Sequence, residues 1–332
     1  EAKAGEESVA RGEALLATLR ERAASDDVKT LRMMLDEFLA DMSKSWLHMG
    51  WHLEKLDGEM KQAPIPTGLG DLDQLLGGLS GGDLIIVAAR PAVGKSAFAV
   101  TVARNAAQQG ARVGVVSLEM SNQQVRDRLL AAEAGVDTHR LRLHLYGEVE
   151  EERLVQAAGR LSELVMYMDD RGSQTARGIA SWARRVKDKK GLELLVVDYL
   201  QLIQGTSGRA QDRVQEVTQI SRELKLLARS LGVPVLVCSQ LNRQIEGRAA
   251  HRPMLSDLRD SGSIEQDADV VMFIHREELY YTPEEWERQQ PERPYPEGIA
   301  EIIVAKHRNG PVGSVFLRFE PRLTLFRAAK EG

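Results

Sequence analysis

An apolar run, a loop ending in glycine and a helical stretch follow one another in Leu84-Ile-Ile-Val-Ala-Ala89-Arg-Pro-Ala-Val-Gly94-Lys95-Ser96-Ala-Phe-Ala-Val. This order leaves few folds open, because it is the strand, loop and helix of a phosphate-binding unit. Gly94 presents bare backbone, so amide N–H groups reach phosphate oxygens, and the helix start adds its partial positive charge. The spacing predicts that Arg90, Pro91, Ala92, Val93 and Gly94 wrap a nucleotide, that Lys95 reaches its terminal phosphates and that the Ser96 hydroxyl binds Mg²⁺. ATP with Mg²⁺ is therefore the expected ligand pair. Position 89 is Ala where the general pattern has Gly, so the loop's first turn is expected to avoid positive φ there.

Further apolar runs of strand length recur at 113–118, 194–197, 233–237, 270–274 and 302–304, with helical patterns between most of them. That alternation predicts an α/β domain around a largely parallel sheet. The segments Ser314–Phe319 and Leu323–Arg327 flank Glu320-Pro-Arg and read as an antiparallel hairpin at the sheet edge.

Two strand ends carry carboxylates. Leu194-Leu-Val-Val-Asp198 places Asp198 where an acid holds Mg²⁺ through its water shell. Val115-Val-Ser-Leu-Glu119 places Glu119 as the candidate general base for the attacking water. The run from Val233 ends in Cys238-Ser-Gln240, and the uncharged amide of Gln240 is a candidate sensor of the γ-phosphate.

Upstream, apolar residues recur at Leu31, Met34, Leu35, Phe38, Leu39, Met42, Trp46, Met49, Leu53 and Leu56, a helical spacing. Residues 1–62 carry 13 acidic and 9 basic side chains and are expected to form an α-helical linker segment. Ala63-Pro-Ile-Pro-Thr-Gly-Leu-Gly70 reads as a Pro/Gly hinge, which puts the domain boundary there and the nucleotide-binding domain at 63–332. The chain opens on Glu1, which predicts sequence upstream of it.

A formal net charge of −5 excludes a protein that coats nucleic acid with a surplus of cations, so any such contact must be local. No apolar stretch reaches the roughly 18 residues that a bilayer span needs, and no leader pattern precedes the helix. The one cysteine, Cys238, lies inside an apolar run and is expected to be a core thiol, in keeping with a cytoplasmic protein. His48 and His52 have a zinc-compatible spacing but lack the intervening Glu or a nearby Cys, so no metal is assigned to them. Arg184-Arg-Val-Lys-Asp-Lys-Lys190 reads as the solvated end of a helix.

Several blocks together resemble the DnaB-type replicative helicase family. They are Pro66-Thr-Gly-Leu-Gly-Asp-Leu-Asp73, Ala88-Ala-Arg-Pro-Ala-Val-Gly-Lys-Ser96, Ser117-Leu-Glu-Met120, Val197-Asp-Tyr-Leu-Gln-Leu-Ile203, Ser239-Gln-Leu-Asn-Arg243, Ser256-Asp-Leu-Arg-Asp-Ser-Gly-Ser-Ile-Glu-Gln-Asp-Ala-Asp269 and Ala305-Lys-His-Arg-Asn-Gly-Pro-Val-Gly313. The resemblance spans about residues 64 to 328 and tolerates Ala at position 89.

It implies a RecA-like core in a homohexameric ring, ATP bound between neighbours, and 5′ to 3′ movement on single-stranded DNA with duplex unwinding. It implies that Lys306 and Arg308 are offered in trans to the neighbour's γ-phosphate, and that Arg259, Asp260 and Gly262 contact single-stranded DNA, many members carrying Glu at position 260. Primase and a helicase loader are the implied partners. The loops 205–213 and 243–252 carry basic residues that a ring channel would present. A recombinase filament and an ATP-switched ring that does not unwind are the alternative readings; a poised Glu119 disfavours the latter.

Overall fold

The computed structural model describes residues 63–205, 213–248, 251–258 and 262–329. The helical linker expected over 1–62, its Trp46 and Trp51, and the His48/His52 pair lie outside the described residues, as do Arg259 and Asp260.

Among the described residues, nine strands form one sheet: β1 (Leu84–Ala89), β2 (Val113–Ser117), β3 (Met166–Asp169), β4 (Leu194–Asp198), β5 (Val235–Gln240), β6 (Val270–His275), β7 (Ile299–His307), β8 (Gly313–Glu320) and β9 (Leu325–Ala328). Their order is β3-β2-β4-β5-β1-β6-β7-β8-β9. The pairs from β3 to β6 are parallel, and β7, β8 and β9 join antiparallel. The sheet is thus largely parallel with an antiparallel edge, as the apolar runs and the terminal hairpin predict. The edge strand β3 is the one that the runs miss.

The helices are α1 (Gly70–Leu76), α2 (Lys95–Gln108), α3 (Asn122–Ala134), α4 (Thr138–Arg142), α5 (Glu148–Ser162), α6 (Ala176–Lys190), α7 (Arg213–Leu231), α8 (Gly262–Asp267) and α9 (Pro283–Gln289). Every residue of β1 is buried, because helices cover both faces of the sheet. Ile85, Val87 and Ala89 pack with Leu72 of α1 and Phe98 and Val102 of α2. Leu84, Ile86 and Ala88 pack with Ile179 of α6 and Leu224 and Leu227 of α7. This period-two division of one strand between two cores is what strand geometry requires. The cations of Arg184–Lys190 close α6, with Lys187, Lys189 and Lys190 in its last turn. Among the described residues, no helix is long and apolar enough to cross a membrane.

The Pro/Gly segment 63–70 is packed on the domain that follows it. Ile65 and Leu79 exchange backbone hydrogen bonds at 2.9 and 2.8 Å, Thr67 is fully buried, and the Asn105 amide of α2 donates to the Thr67 carbonyl at 3.0 Å. Asp73 accepts from the Thr67 N–H at 2.6 Å and its hydroxyl at 2.7 Å. Proline and glycine here shape a tight clip on the core, with the backbone groups satisfied internally.

Candidate nucleotide site

The register of the parallel strands brings the candidate residues to one edge. Ala89 pairs with Gln240 and Ser117 with Asp198, so the phosphate loop, the turn bearing Glu119, Asp198 and Gln240 all stand at the carboxyl ends of their strands. That edge is where sheets of this kind bind ligands.

Within the loop, Ala89 remains in β1, and the left-handed conformations fall instead on Ala92, with φ 63°, and Gly94, with φ 120°. A Cβ at Gly94 would stand 3.1 Å from Phe326 Cζ. Gly94 is therefore set both by backbone conformation and by the ring beneath it. Helix α2 begins immediately afterwards, and Phe98 N–H donates to the Gly94 carbonyl at 2.9 Å. Pro91 and Ala92 are exposed, whereas Val93 is buried.

Two arginines hold the loop. Arg90 donates to the Leu241 carbonyl at 3.0 Å and pairs with Glu246 at 2.6 Å. Arg276, buried beyond β6, donates to the Val93 carbonyl at 3.2 Å, lies 4.3 Å from the Phe319 ring centroid and pairs with Glu278 at 2.5 Å. Arg276 escapes a sequence reading, although a charged residue directly after an apolar strand, in Phe273-Ile-His-Arg276, is its signal.

Lys95 directs its Nζ to 5.9 Å from the Tyr199 ring centroid. Burial, then the charges of Glu119 and Asp198, push the Tyr199 hydroxyl above its ordinary pKa. Asp198 is buried, and its Oδ1 has no hydrogen-bond partner. An ionised, buried oxygen without a donor is costly, and a divalent cation or its water shell is the group that would satisfy it. The donor set of the Ser96 hydroxyl with the Asp198 carboxylate fits Mg²⁺, an oxygen-seeking ion.

The turn that carries Glu119 is pinned on both sides. Leu118 N–H donates to the Asp198 carbonyl at 2.7 Å, while Ser117 Oγ donates to the Met120 carbonyl at 2.7 Å. Helix α3 then starts with a reciprocal cap, in which Ser121 N–H donates to Gln124 Oε1 at 2.9 Å and Gln124 N–H to Ser121 Oγ at 3.3 Å. Glu119 itself is exposed, as access to an attacking water requires. Arg128 of α3 faces both acids: burial pulls its pKa below the ordinary guanidinium value, and Asp198 and Glu119 oppose that shift.

Cys238 is fully buried, with Sγ 3.7 Å from the Lys95 carbonyl. Burial first, and then the Asp198 charge, push its thiol well above the ordinary range. It is a neutral core thiol beneath the loop.

Lys306 and Arg308 are elsewhere. Lys306 pairs with Val271 and His307 with Val270, and Val270 pairs with Ile85 at the start of β1. Ile85 precedes Ala89 by four residues, roughly 13 Å of strand, so both cations sit at the opposite edge from this chain's own phosphate loop. Lys306 Nζ donates to the Glu265 carbonyl. Arg308 donates to the Gln266 carbonyl at 2.8 Å and lies 3.4 Å from Asp269. Gly262 opens α8, directly after the segment that holds Arg259 and Asp260. In the neighbouring loop, Arg248 is paired with buried Asp257 and Arg252 with Glu301.

The profile of the DnaB-like helicase C terminal domain matches residues 64–328. The replicative DNA helicase DnaB of Geobacillus stearothermophilus is 46% identical over 268 residues, which are 80% of this chain and 56% of that protein. The replicative DNA helicase DnaC of Bacillus subtilis is 48% identical over 257 residues, 77% of this chain and 54% of that protein. The chain therefore spans about half the length of the curated relatives it matches. Among solved structures, an ATPase domain superposes with a TM-score of 0.75 at 33% identity, covering 87% of this chain and 99% of that one. A DnaB-like replicative helicase, described with its interactions with primase, gives 0.74 at 29% identity, covering 98% of this chain and 78% of that one. The fold thus has its counterpart in known proteins, and the chain belongs to the DnaB-like helicase C-terminal domain family.

Proposed function

We propose that this chain is the ATP-hydrolysing motor of a replicative DNA helicase, acting in a ring of six that moves 5′ to 3′ along single-stranded DNA. The observation that carries the reading is the division of charged groups between two edges of one sheet. The triphosphate-binding loop, Glu119 and Asp198 share the carboxyl edge, and Lys306 and Arg308 stand at the other, too far to serve their own nucleotide. A neighbour's site is the one that they suit. The relatives' names favour this reading over a recombinase filament or a ring that does not unwind.

In the reaction, water attacks the γ-phosphorus, the new P–O bond forms as the bond to the β-bridging oxygen breaks, and ADP and orthophosphate result. Glu119 takes the water's proton. Lys95 and the loop amides hold the phosphates in line. Ser96 and, through water, Asp198 would hold Mg²⁺, which when bound would supply neutralising charge to the phosphate oxygens. Gln240 touches the γ-phosphate and transmits its loss along β5. Lys306 and Arg308 of a neighbour stabilise the charge of the transition state, a contribution of roughly 10³ to 10⁵ in rate for an arginine finger. Arg259, Asp260 and the Gly262 backbone hold the DNA backbone, with primase and a loader as partners of the whole assembly.

The test is steady-state ATP hydrolysis with and without single-stranded DNA, in wild type and in Lys95→Ala. The expected result is stimulation by DNA that fades as salt rises, and loss of roughly 10² to 10³ in turnover in the variant. Unchanged hydrolysis in Lys95→Ala contradicts the reading.

A further inference from the structure

A cavity of about 450 Å³ lies between α3, α4 and the turn from β8 to β9, walled in part by Met120, Arg128, Thr138, Arg142 and Thr324. Met120 directly follows Glu119, so the cavity adjoins the hydrolytic turn. Arg128 is half-buried and Arg142 is exposed. The two guanidinium charges act on each other unfavourably.

Asp198 and Glu119 act favourably on Arg128, whereas the carboxylates on the cavity wall are engaged elsewhere. Asp137 Oδ1 caps α4 by accepting from the N–H groups of His139 and Arg140 at 2.8 and 3.1 Å, and its Oδ2 takes Arg322 at 3.2 Å. Asp127 accepts from Gln123 at 2.7 Å. Among the described residues, no carboxylate forms an ion pair with Arg128 or Arg142. Thr138 Oγ1, on the same wall, is buried without a hydrogen-bond partner. Two guanidinium groups, the outer one without a carboxylate partner, and a spare hydroxyl lining one cavity describe a site for a small oxyanion.

We propose that this cavity receives the orthophosphate cut from ATP, Arg128 taking it from beside Glu119 and Arg142 passing it to solvent. The proposal rests on the hydrolytic reading above. After cleavage the product carries between one and two negative charges and stands between two carboxylates, Glu119 and Asp198, which repel it. Arg128, whose charge acts on both acids, lines the cavity together with the more exposed Arg142. A phosphorylated metabolite from solution shares the same chemistry, and the experiment separates the two sources.

Binding of inorganic phosphate to the chain loaded with Mg²⁺ and ADP is measured by titration calorimetry, which needs no turnover. Arg142→Ala and Thr138→Val are expected to weaken phosphate binding, Arg142→Ala by about tenfold, with ADP affinity unchanged. In a single turnover, Arg142→Ala cleaves ATP at the wild-type rate and releases phosphate more slowly. Wild-type phosphate affinity and release in Arg142→Ala overturn the proposal, as does glycerol 3-phosphate binding as tightly as orthophosphate in the absence of nucleotide. A chain that hydrolyses ATP but handles phosphate independently of Arg142 loses only this site. One that binds phosphate through Arg142 and never hydrolyses ATP loses the motor reading.

Discussion

Gln201 holds Gln240 by both backbone groups: its Oε1 accepts the Gln240 N–H at 3.1 Å and its Nε2 donates to the Gln240 carbonyl at 3.3 Å. The same amide nitrogen reaches Ser239 Oγ at 3.0 Å. The turn after β4 thereby fixes the end of β5, linking the strand that carries Asp198 to the one that carries Gln240.

Gln201→Ala removes this clamp and leaves a backbone N–H and carbonyl without their partner. It is expected to lower stability by about 1 to 2 kcal/mol, measured by chemical denaturation. Hydrolysis is expected to fall more than ATP affinity, because the residue orients Gln240 and does not touch the nucleotide-binding loop. Equal effects on both contradict that role.

Gly94→Ala meets two obstacles at once, a φ of 120° and the Phe326 ring. A cost of about 1 to 3 kcal/mol in folding is expected, together with loss of nucleotide binding. Fluorescent-nucleotide titration and thermal denaturation check the two effects separately.

Asp198→Asn keeps the shape of a buried carboxylate and removes its charge. Because Oδ1 has no donor in the protein, the variant without nucleotide is expected to unfold at the same or a higher denaturant concentration than wild type. Hydrolysis in the same variant collapses. A marked loss of stability would show that the Asp198 charge serves the fold.

His275 is buried and its pKa is held down to about 4, chiefly by desolvation, with Arg252 and His251 acting in the same direction and Glu301 against them. The folded chain therefore keeps this ring neutral where the unfolded chain, near 6.5, takes up a proton. The stabilisation is whole above about pH 6.5 and is lost as pH falls towards 4, by up to about 1.4 kcal/mol per pH unit. Denaturation between pH 7 and 5 should show that slope, and His275→Phe should flatten it.

The parts of this fold that can be read from the chain are those whose signal is local. β1, the loop and α2 are contiguous, and an apolar run ending in Asp198 marks its own strand. β3 hides because Met166–Asp169 is short and only Asp169 is buried, so neither an apolar run nor a clean alternation marks it. The packing of the clip at 63–70 stays hidden because proline and glycine signal a turn without saying what the turn packs against. Arg276 and Gln201 act on Val93 and Gln240, 183 and 39 residues away in sequence, and no spacing rule connects such pairs. The positions of Lys306 and Arg308 at the far edge follow from the antiparallel entry of β7, which the chain's periodicity does not reveal.

The most direct test of hydrolysis shared between neighbours is to mix Lys95→Ala chains with Arg308→Ala chains and to measure ATP turnover. Each alone is expected to be nearly inactive, and the mixture to regain turnover wherever an intact loop meets an intact cation from the next chain. Wild-type turnover by Arg308→Ala alone, or by an unassembled single chain, would contradict the account.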